Sequence, residues 1–190
     1  MKLPEVMHRI TAALDRAGIA YMLSGSFASA YYGASRSTQD IDFVISATPA
    51  QLTTFVQGLS TESYYSELGA ALEAHGRQSM FNVVDQATGW KIDLIIRKSR
   101  AFSQEEFSRR RLVDLEGTPL FVATAEDVII AKLEWSKLAQ SRRQIEDVAA
   151  ILRARWGWLD RSYIEKWIAE LGLREGWNEA GRAASVSDPT

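Results

Sequence analysis

Residues 25–45 read GSFASAYYGASRSTQDIDFVI, and this stretch decides how the rest of the chain is read. It ends in two aspartates one residue apart, Asp40 and Asp42, within an apolar run of Ile41, Phe43, Val44 and Ile45. The run predicts a strand over 40–45, in which side chains at i and i+2 leave the same face. The two carboxylates then stand side by side where like charges have nowhere to relax, each raising the other's pKa. A divalent cation removes that conflict. Magnesium takes one or two carboxylates and completes its shell with water and substrate phosphates. At the other end, Ser24-Gly25-Ser26 is a short polar turn before an alanine-rich, helix-sized segment over 26–33. Glycine lets backbone approach a ligand closely, and N–H groups at a helix start suit phosphate. The two ends together suggest a site for a nucleotide carried with a metal ion.

Outward from this stretch the elements alternate. Val6, Ile10, Ala13 and Leu14 keep a helical period over 4–17, with Gly18 as a stop, and 19–25 reads as a buried strand. Pro49 opens a helix over 49–59, whereas 60–76 is polar, contains glycine and gives no clear element. MFNVVD (80–85) and WKIDLII (90–96) flank a QATG turn and predict a hairpin. RLVDLEGTPLFVA (111–123) predicts another, turning at Glu116-Gly117. The character changes at Thr124, which with Asp127 forms a variant capping box opening EDVIIAKLEWSKLA. Amphipathic segments over 141–155 and 160–171 follow. The expected organisation is an α/β part over 1–123, a helical region over 124–180 and a disordered tail over 181–190.

Composition bounds the function. The chain has 190 residues, 46% hydrophobic and 24% charged, with a net charge of -2. That is the ordinary globular range and does not mark a globally basic nucleic-acid binder. There is no cysteine, so disulfides and thiolate metal sites are excluded, and His8 and His75 are too few for a histidine cluster. No apolar run reaches the roughly 20 residues of a membrane span, and MKLPEVMHRI has no signal-peptide core. A soluble cytoplasmic protein without a membrane partner is expected.

Gly25-Ser26 followed by Arg36, Thr38, Asp40, Ile41 and Asp42, with Asp93 in KIDLII as a third carboxylate, resembles the signature of the polymerase-β-like nucleotidyltransferase superfamily. RSTQDIDFVI, the KIDLI strand, EDVIIAKLEW and the later I-E-D-V are similar to its minimal nucleotidyltransferase branch, grouped with AbiEii-type toxins. The resemblance covers roughly residues 15–152 and implies an α/β (α+β) nucleotidyltransferase fold: a mixed sheet flanked by helices, then a helical C-terminal segment. It implies a triphosphate on Gly25-Ser26, two Mg²⁺ ions (or Mn²⁺) on Asp40 and Asp42, and Asp93 completing the site nearer the acceptor. The implied reaction is attack of an acceptor hydroxyl on the α-phosphate of a nucleoside triphosphate such as ATP, releasing pyrophosphate. The acceptor is a tRNA end, a protein hydroxyl or a small molecule, and the setting a toxin–antitoxin or phage-defence pair with a cognate antitoxin. Alternatives are an antibiotic nucleotidyltransferase and a catalytically silent antitoxin or binding module of the same fold.

Each residue also has a plainer reading. Asp93 could simply pair with Lys91, its i−2 neighbour, although the metal is the preferred reading. Ser26 could cap the following helix as well as bind phosphate. Arg36 and Thr38, nucleotide-binding by resemblance, could be ordinary loop residues, and Lys132, a phosphate contact by resemblance, could be a surface lysine. Asp147 reads as a solvated acid or a partner for Arg143. Trp135, Trp156, Trp158, Trp167 and Trp177 read as helix-packing residues more readily than as base-stacking ones. The Arg109-Arg110-Arg111 run reads as a solvated helix end rather than a nucleic-acid contact.

Overall fold

In the computed structural model, which describes residues 3–34, 37–115 and 117–186, the chain divides into two units. The first comprises Met1–Ser24 and Thr38–Ala123, the second Gly25–Ser37 and Thr124–Thr190. Helix α1 (Leu3–Arg16) leads into β1 (Ala20–Leu23); α2 (Gly25–Tyr31) separates it from β2 (Asp40–Ser46). Helix α3 (Pro49–Gln57), β3 (Tyr64–Tyr65), α4 (Leu68–Arg77), β4 (Met80–Asp85) and β5 (Lys91–Ile96) follow. Then come α5 (Ala101–Ser108), β6 (Arg111–Leu115) and β7 (Thr118–Val122). The chain closes with α6 (Ala125–Ala139), α7 (Arg142–Arg155), α8 (Arg161–Leu171) and α9 (Arg174–Ala184).

All seven strands form one mixed sheet in the first unit, ordered β3-β4-β5-β2-β1-β7-β6, so the aspartate strand is central. β2 runs antiparallel to β1 and parallel to β5, and β4–β5 and β6–β7 are antiparallel hairpins. Strand alternation sorts the faces. Ile41, Phe43, Ile45, Ile92, Leu94, Phe81 and Val83 leave one face and are buried. The buried stripe of α1 (Val6, Met7, Ile10, Leu14) packs toward β1 and β7, and α4 packs on β4. The opposite face carries Asp40, Asp42, Lys91 and Asp93, with Met80 and Asn82 exposed on β4. Asp85 is buried and anchors the β4–β5 hairpin. Its carboxylate accepts the N–H groups of Ala87 and Thr88 at 3.1 and 3.0 Å and pairs with Arg9 of α1.

Three elements of the sheet unit escaped the sequence reading. Segment 60–76 contains β3 and α4; Gly69 and Gly76 weaken the helical signal, and Glu67 at the N-cap makes no side-chain cap bond. Helix α5 was also unassigned, because Phe102 and Phe107 are its only buried large apolar residues.

In the second unit α2 packs on α6 and α7. By sequence, 25–37 reads with the α/β part; the structure groups it with the later helices instead. Ala28 and Ser29, small and fully buried, allow that close approach. Gly33 serves the same contact: at φ +115° it occupies backbone space side chains rarely adopt, and a Cβ there would stand 2.7 Å from Ala154 Cβ. Beyond the three expected helices comes α9, which runs through Ala184 with Ala180 and Ala184 buried, so the first residues of the expected tail are helical. Residues 187–190 lie outside the described ones. Among the described residues no helix is long and apolar enough to cross a membrane.

Thr124 caps α6 as expected, its hydroxyl oxygen accepting the Asp127 N–H at 3.3 Å. The Asp127 carboxylate, fully buried, takes the Thr124 O–H at 2.5 Å and the Tyr163 O–H at 2.6 Å. Removing one partner of a buried polar pair costs the desolvation of the other, about 1–3 kcal/mol, whereas removing both can be nearly neutral. Tyr163→Phe should therefore cost about 1–3 kcal/mol in urea unfolding. The Asp127→Ala/Tyr163→Phe double variant should lose clearly less than the sum of the singles. Additive losses would show that the two groups do not depend on each other.

Candidate active site

The site is set by strand register. β2 and β5 pair in parallel with Asp42 opposite Asp93 and Asp40 opposite Lys91. On the far side of β5, Asn82 of β4 stands opposite Asp93. Directly opposed residues share a face. The acids at 40, 42 and 93, expected from sequence to act together, are thus brought onto one patch of the sheet, with Lys91 and Asn82 beside them. Their exposure differs: the Asp40 side chain is 51% exposed and that of Asp93 only 8%.

The Lys91–Asp93 pair is present. Lys91 Nζ donates to Asp93 Oδ2 at 3.0 Å, lies 3.0 Å from Oδ1, and stands 3.9 Å from Asp40 Oδ1. Asn82 Nδ2 donates to Asp93 Oδ1. The Lys91 pKa is raised above its ordinary 10.5, chiefly by the hydrogen bond to Asp93; burial opposes this, and the charges of Asp93, Asp40 and Asp42 add to it. All three carboxylates therefore act on one ammonium.

The remaining candidates have separate surroundings. Thr38 holds the entry to β2, its hydroxyl accepting the Asp40 N–H at 3.3 Å. Ser24 N–H donates to Asp42 O at 2.9 Å, and the next residue, Gly25, has φ +59°, a left-handed conformation that glycine adopts without strain. Ser26 is buried at the start of α2. Arg36 lies outside the described residues. Lys132 belongs to the second unit and is not a surface lysine. It is 4% exposed, and its ammonium donates to Gln144 Oε1 at 2.9 Å and Asp147 Oδ2 at 2.7 Å. Asp147, read from sequence as solvated or Arg143-paired, is buried on Lys132 instead, where each charge offsets the desolvation of the other. The late tryptophans divide: Trp167 and Trp177 are core, whereas Trp135 and Trp158 are 53% and 87% exposed. Within the 109–111 run, Arg110 is not a solvated end but stacks on Phe107 and Phe121.

Three carboxylates on one face are hard oxygen donors of the kind magnesium selects. As they stand, no three acid or imidazole groups among the described residues are grouped to hold a metal ion; Asp93 has both oxygens engaged by Lys91 and Asn82. The donor chemistry fits a divalent cation once Asp93 turns from Lys91, and Asp40, Asp42 and Asp93 are the residues that would hold it. Sequence reasoning missed Asn82. Its only signal is its place on the polar side of the MFNVVD alternation, and the partner it meets depends on register.

Lys91 gains its partners on folding, so its folded pKa lies above its unfolded one. The stability it contributes is full at neutral pH and is lost as pH rises through the folded pKa. The difference in unfolding free energy between wild type and Lys91→Met should thus stay level through neutral pH and shrink above about pH 10.5. Urea titrations at a series of pH values measure it. A difference that persists undiminished into strong alkali would mean Lys91 acts by packing rather than charge.

No family model matches the chain, and no curated protein matches it in sequence. Solved structures do. The antibiotic-resistance factor ANT(2'')-Ia in solution matches with a TM-score of 0.60 at 14% identity, over 94% of this chain and 96% of that one. An antigenic nucleotidyltransferase-like protein from Paracoccidioides brasiliensis matches with a TM-score of 0.56 at 16% identity, over 95% and 92%. The lincosamide antibiotic adenylyltransferase LnuA, bound to lincomycin, matches with a TM-score of 0.53 at 13% identity, over 80% and 96%. At these identities the likeness is one of fold: the chain has the mixed α/β architecture of the nucleotidyltransferase fold.

Proposed function

We propose that the chain is a metal-dependent nucleotidyltransferase that moves a nucleoside monophosphate from a triphosphate to an acceptor hydroxyl and releases pyrophosphate. The observation that carries this reading is the register placing Asp42 opposite Asp93, with Asp40 on the same face. In the proposal Asp40 and Asp42 hold Mg²⁺, and the Gly25-Ser26 turn, one residue past the Ser24–Asp42 backbone bond, receives the triphosphate. Divalent ions there would stabilise the attacking and leaving oxygens and lower the hydroxyl's pKa. Asp93, freed from Lys91, faces the acceptor, orients its hydroxyl and accepts the proton or shares the cation. Lys91 is then left to meet negative charge on the incoming nucleotide. Arg36 and Thr38 would steady the nucleotide side. Lys132 would reach phosphate only by leaving Asp147, so the reading does not rest on it.

The finer assignment, a toxin of the AbiEii-type branch acting on tRNA or a protein in the cytoplasm, with an antitoxin, rests on the sequence resemblance alone. Antibiotic modification is favoured by a different observation, the fold likeness to ANT(2'')-Ia, seen with adenylyl-2''-tobramycin, and to LnuA. The silent binding module is favoured by the Lys91–Asp93 pair, which occupies the third carboxylate.

Labelled nucleoside triphosphates with Mg²⁺ and either total tRNA, cell extract or aminoglycosides test the reaction. Asp42→Asn should abolish label transfer while the protein stays folded. Asp93→Asn should retain triphosphate binding by calorimetry but lower turnover at least ~10²-fold, the low end for loss of a general base. Unchanged turnover in Asp93→Asn would leave Asp93 as the partner of Lys91 and nothing more.

A further inference from the structure

Two arginines of the sheet unit have no acid to answer them. Arg97, the residue after β5, continues the ladder by donating its N–H to Ile45 O at 2.8 Å. Its guanidinium carbon lies 5.6 Å from the centre of the Phe107 ring. Arg110, two residues past the end of α5, lies 4.3 Å from the same ring and 5.2 Å from that of Phe121. Arg110 Nη1 donates to the Phe107 carbonyl at 2.6 Å. The Nε–H of each arginine is buried without an acceptor. Among the described residues neither guanidinium forms an ion pair, not even with Glu105 or Glu106 of the intervening helix.

Such a pair is unfavourable by itself. Two like charges share one ring, and Arg110 has its pKa lowered, first by burial and then by the charge of Arg97. A folded chain normally gives a partly buried cation a carboxylate partner. The phenyl rings meet only the flat faces of the guanidiniums; with Arg110 Nη1 held by the Phe107 carbonyl and both Nε–H groups buried, the remaining Nη–H groups are what the pair offers a ligand. Both side chains stay partly exposed, and their neighbours Lys98 and Arg111 are exposed cations. Two cations on one ring, with no acid paired to either, suit an oxyanion.

We infer that Arg97 and Arg110, braced on Phe107, form a phosphate-binding site. Guanidinium N–H groups match phosphate oxygens with charge-assisted N–H bonds. The phosphate is either free or part of a single-stranded polynucleotide. If the proposed transfer reaction holds, on which this clause rests, the site also bears on the acceptor. Arg97 is four residues beyond Asp93, about 13 Å at the strand rise of about 3.3 Å per residue. That spacing suits an acceptor carrying phosphate along its chain, whereas a polycationic acceptor would be repelled.

The test uses the full chain with two probes, inorganic phosphate by calorimetry and a short labelled single-stranded RNA by fluorescence anisotropy. Variants are Arg97→Gln, Arg110→Gln and their combination, with Arg77→Gln on exposed α4 as a control of equal charge change. The double variant should weaken binding at least about tenfold, and Arg77→Gln should change it little; Arg97→Lys should recover part of the loss because charge returns without the fork. Thermal stability of the variants should hold or rise, since like-charge repulsion is relieved. Should a glutamine variant not fold, the lysine variants replace it, with a smaller loss expected. Loss confined to RNA identifies a polynucleotide phosphate, and loss for both probes or for free phosphate alone identifies the phosphate group itself. Either supports the site. No binding of either probe by wild type, or equal weakening by Arg77→Gln, overturns it. Asp42→Asn, which should abolish transfer, should bind both probes as wild type does, so failure of the transfer reaction and failure of this site are told apart.

Discussion

Everything at the site depends on the parallel pairing of β2 with β5 in one register. With Asp42 opposite Asp93 and Asp40 opposite Lys91, one ammonium and three carboxylates share a patch of sheet. A shift of a single residue would turn Asp93 toward the face where Ile92 and Leu94 are now buried. Both strands have a continuous apolar set on that buried face, Ile41, Phe43 and Ile45 against Ile92, Leu94 and Ile96, so the hydrophobic core enforces the register. The charges are placed by the packing of the opposite side.

Buried charge elsewhere in the chain is matched locally. Asp85 holds Arg9 and two backbone N–H groups, Lys132 holds Asp147 and Gln144, and Asp127 takes the hydroxyls of Thr124 and Tyr163. These groups fix hairpin and helices in place and have little left to offer a ligand. Two places among the described residues gather like charges instead. One is the Asp40–Asp42–Asp93 patch, where three carboxylates share one face with Lys91. The other is the Arg97–Arg110 pair, with positive charge and no acid.

Much of this was legible in the sequence. The strand at 40–45 and both hairpins follow from apolar alternation and turn residues, and the family resemblance singles out Asp93 in KIDLII, which the register brings opposite Asp42. What could not be read was pairing between distant segments. Nothing near Asn82 announces Asp93, and nothing near Lys132 announces Asp147, because β4–β5 register and α6–α7 packing choose those partners. The Lys132 partner is hidden for a related reason: helical periodicity shows that a residue faces a neighbour, not which residue the neighbour offers. Helix α4 was hidden by Gly69 and Gly76, whose local propensity is overruled by packing on β4. Arg110 looked like one of three solvated arginines until Phe107 and Phe121 came together around it.

The most direct test of the carboxylate patch is paramagnetic broadening of backbone amide signals by Mn²⁺ supplied with a non-hydrolysable nucleoside triphosphate. The ion broadens nearby amides whether or not any acceptor is known, so it locates the cation without relying on turnover. Broadening should centre on residues 40–43 and 91–94 and disappear in Asp42→Asn. Broadening centred elsewhere, or unchanged in that variant, would contradict the claim that these strands are paired to hold a metal-bound nucleotide.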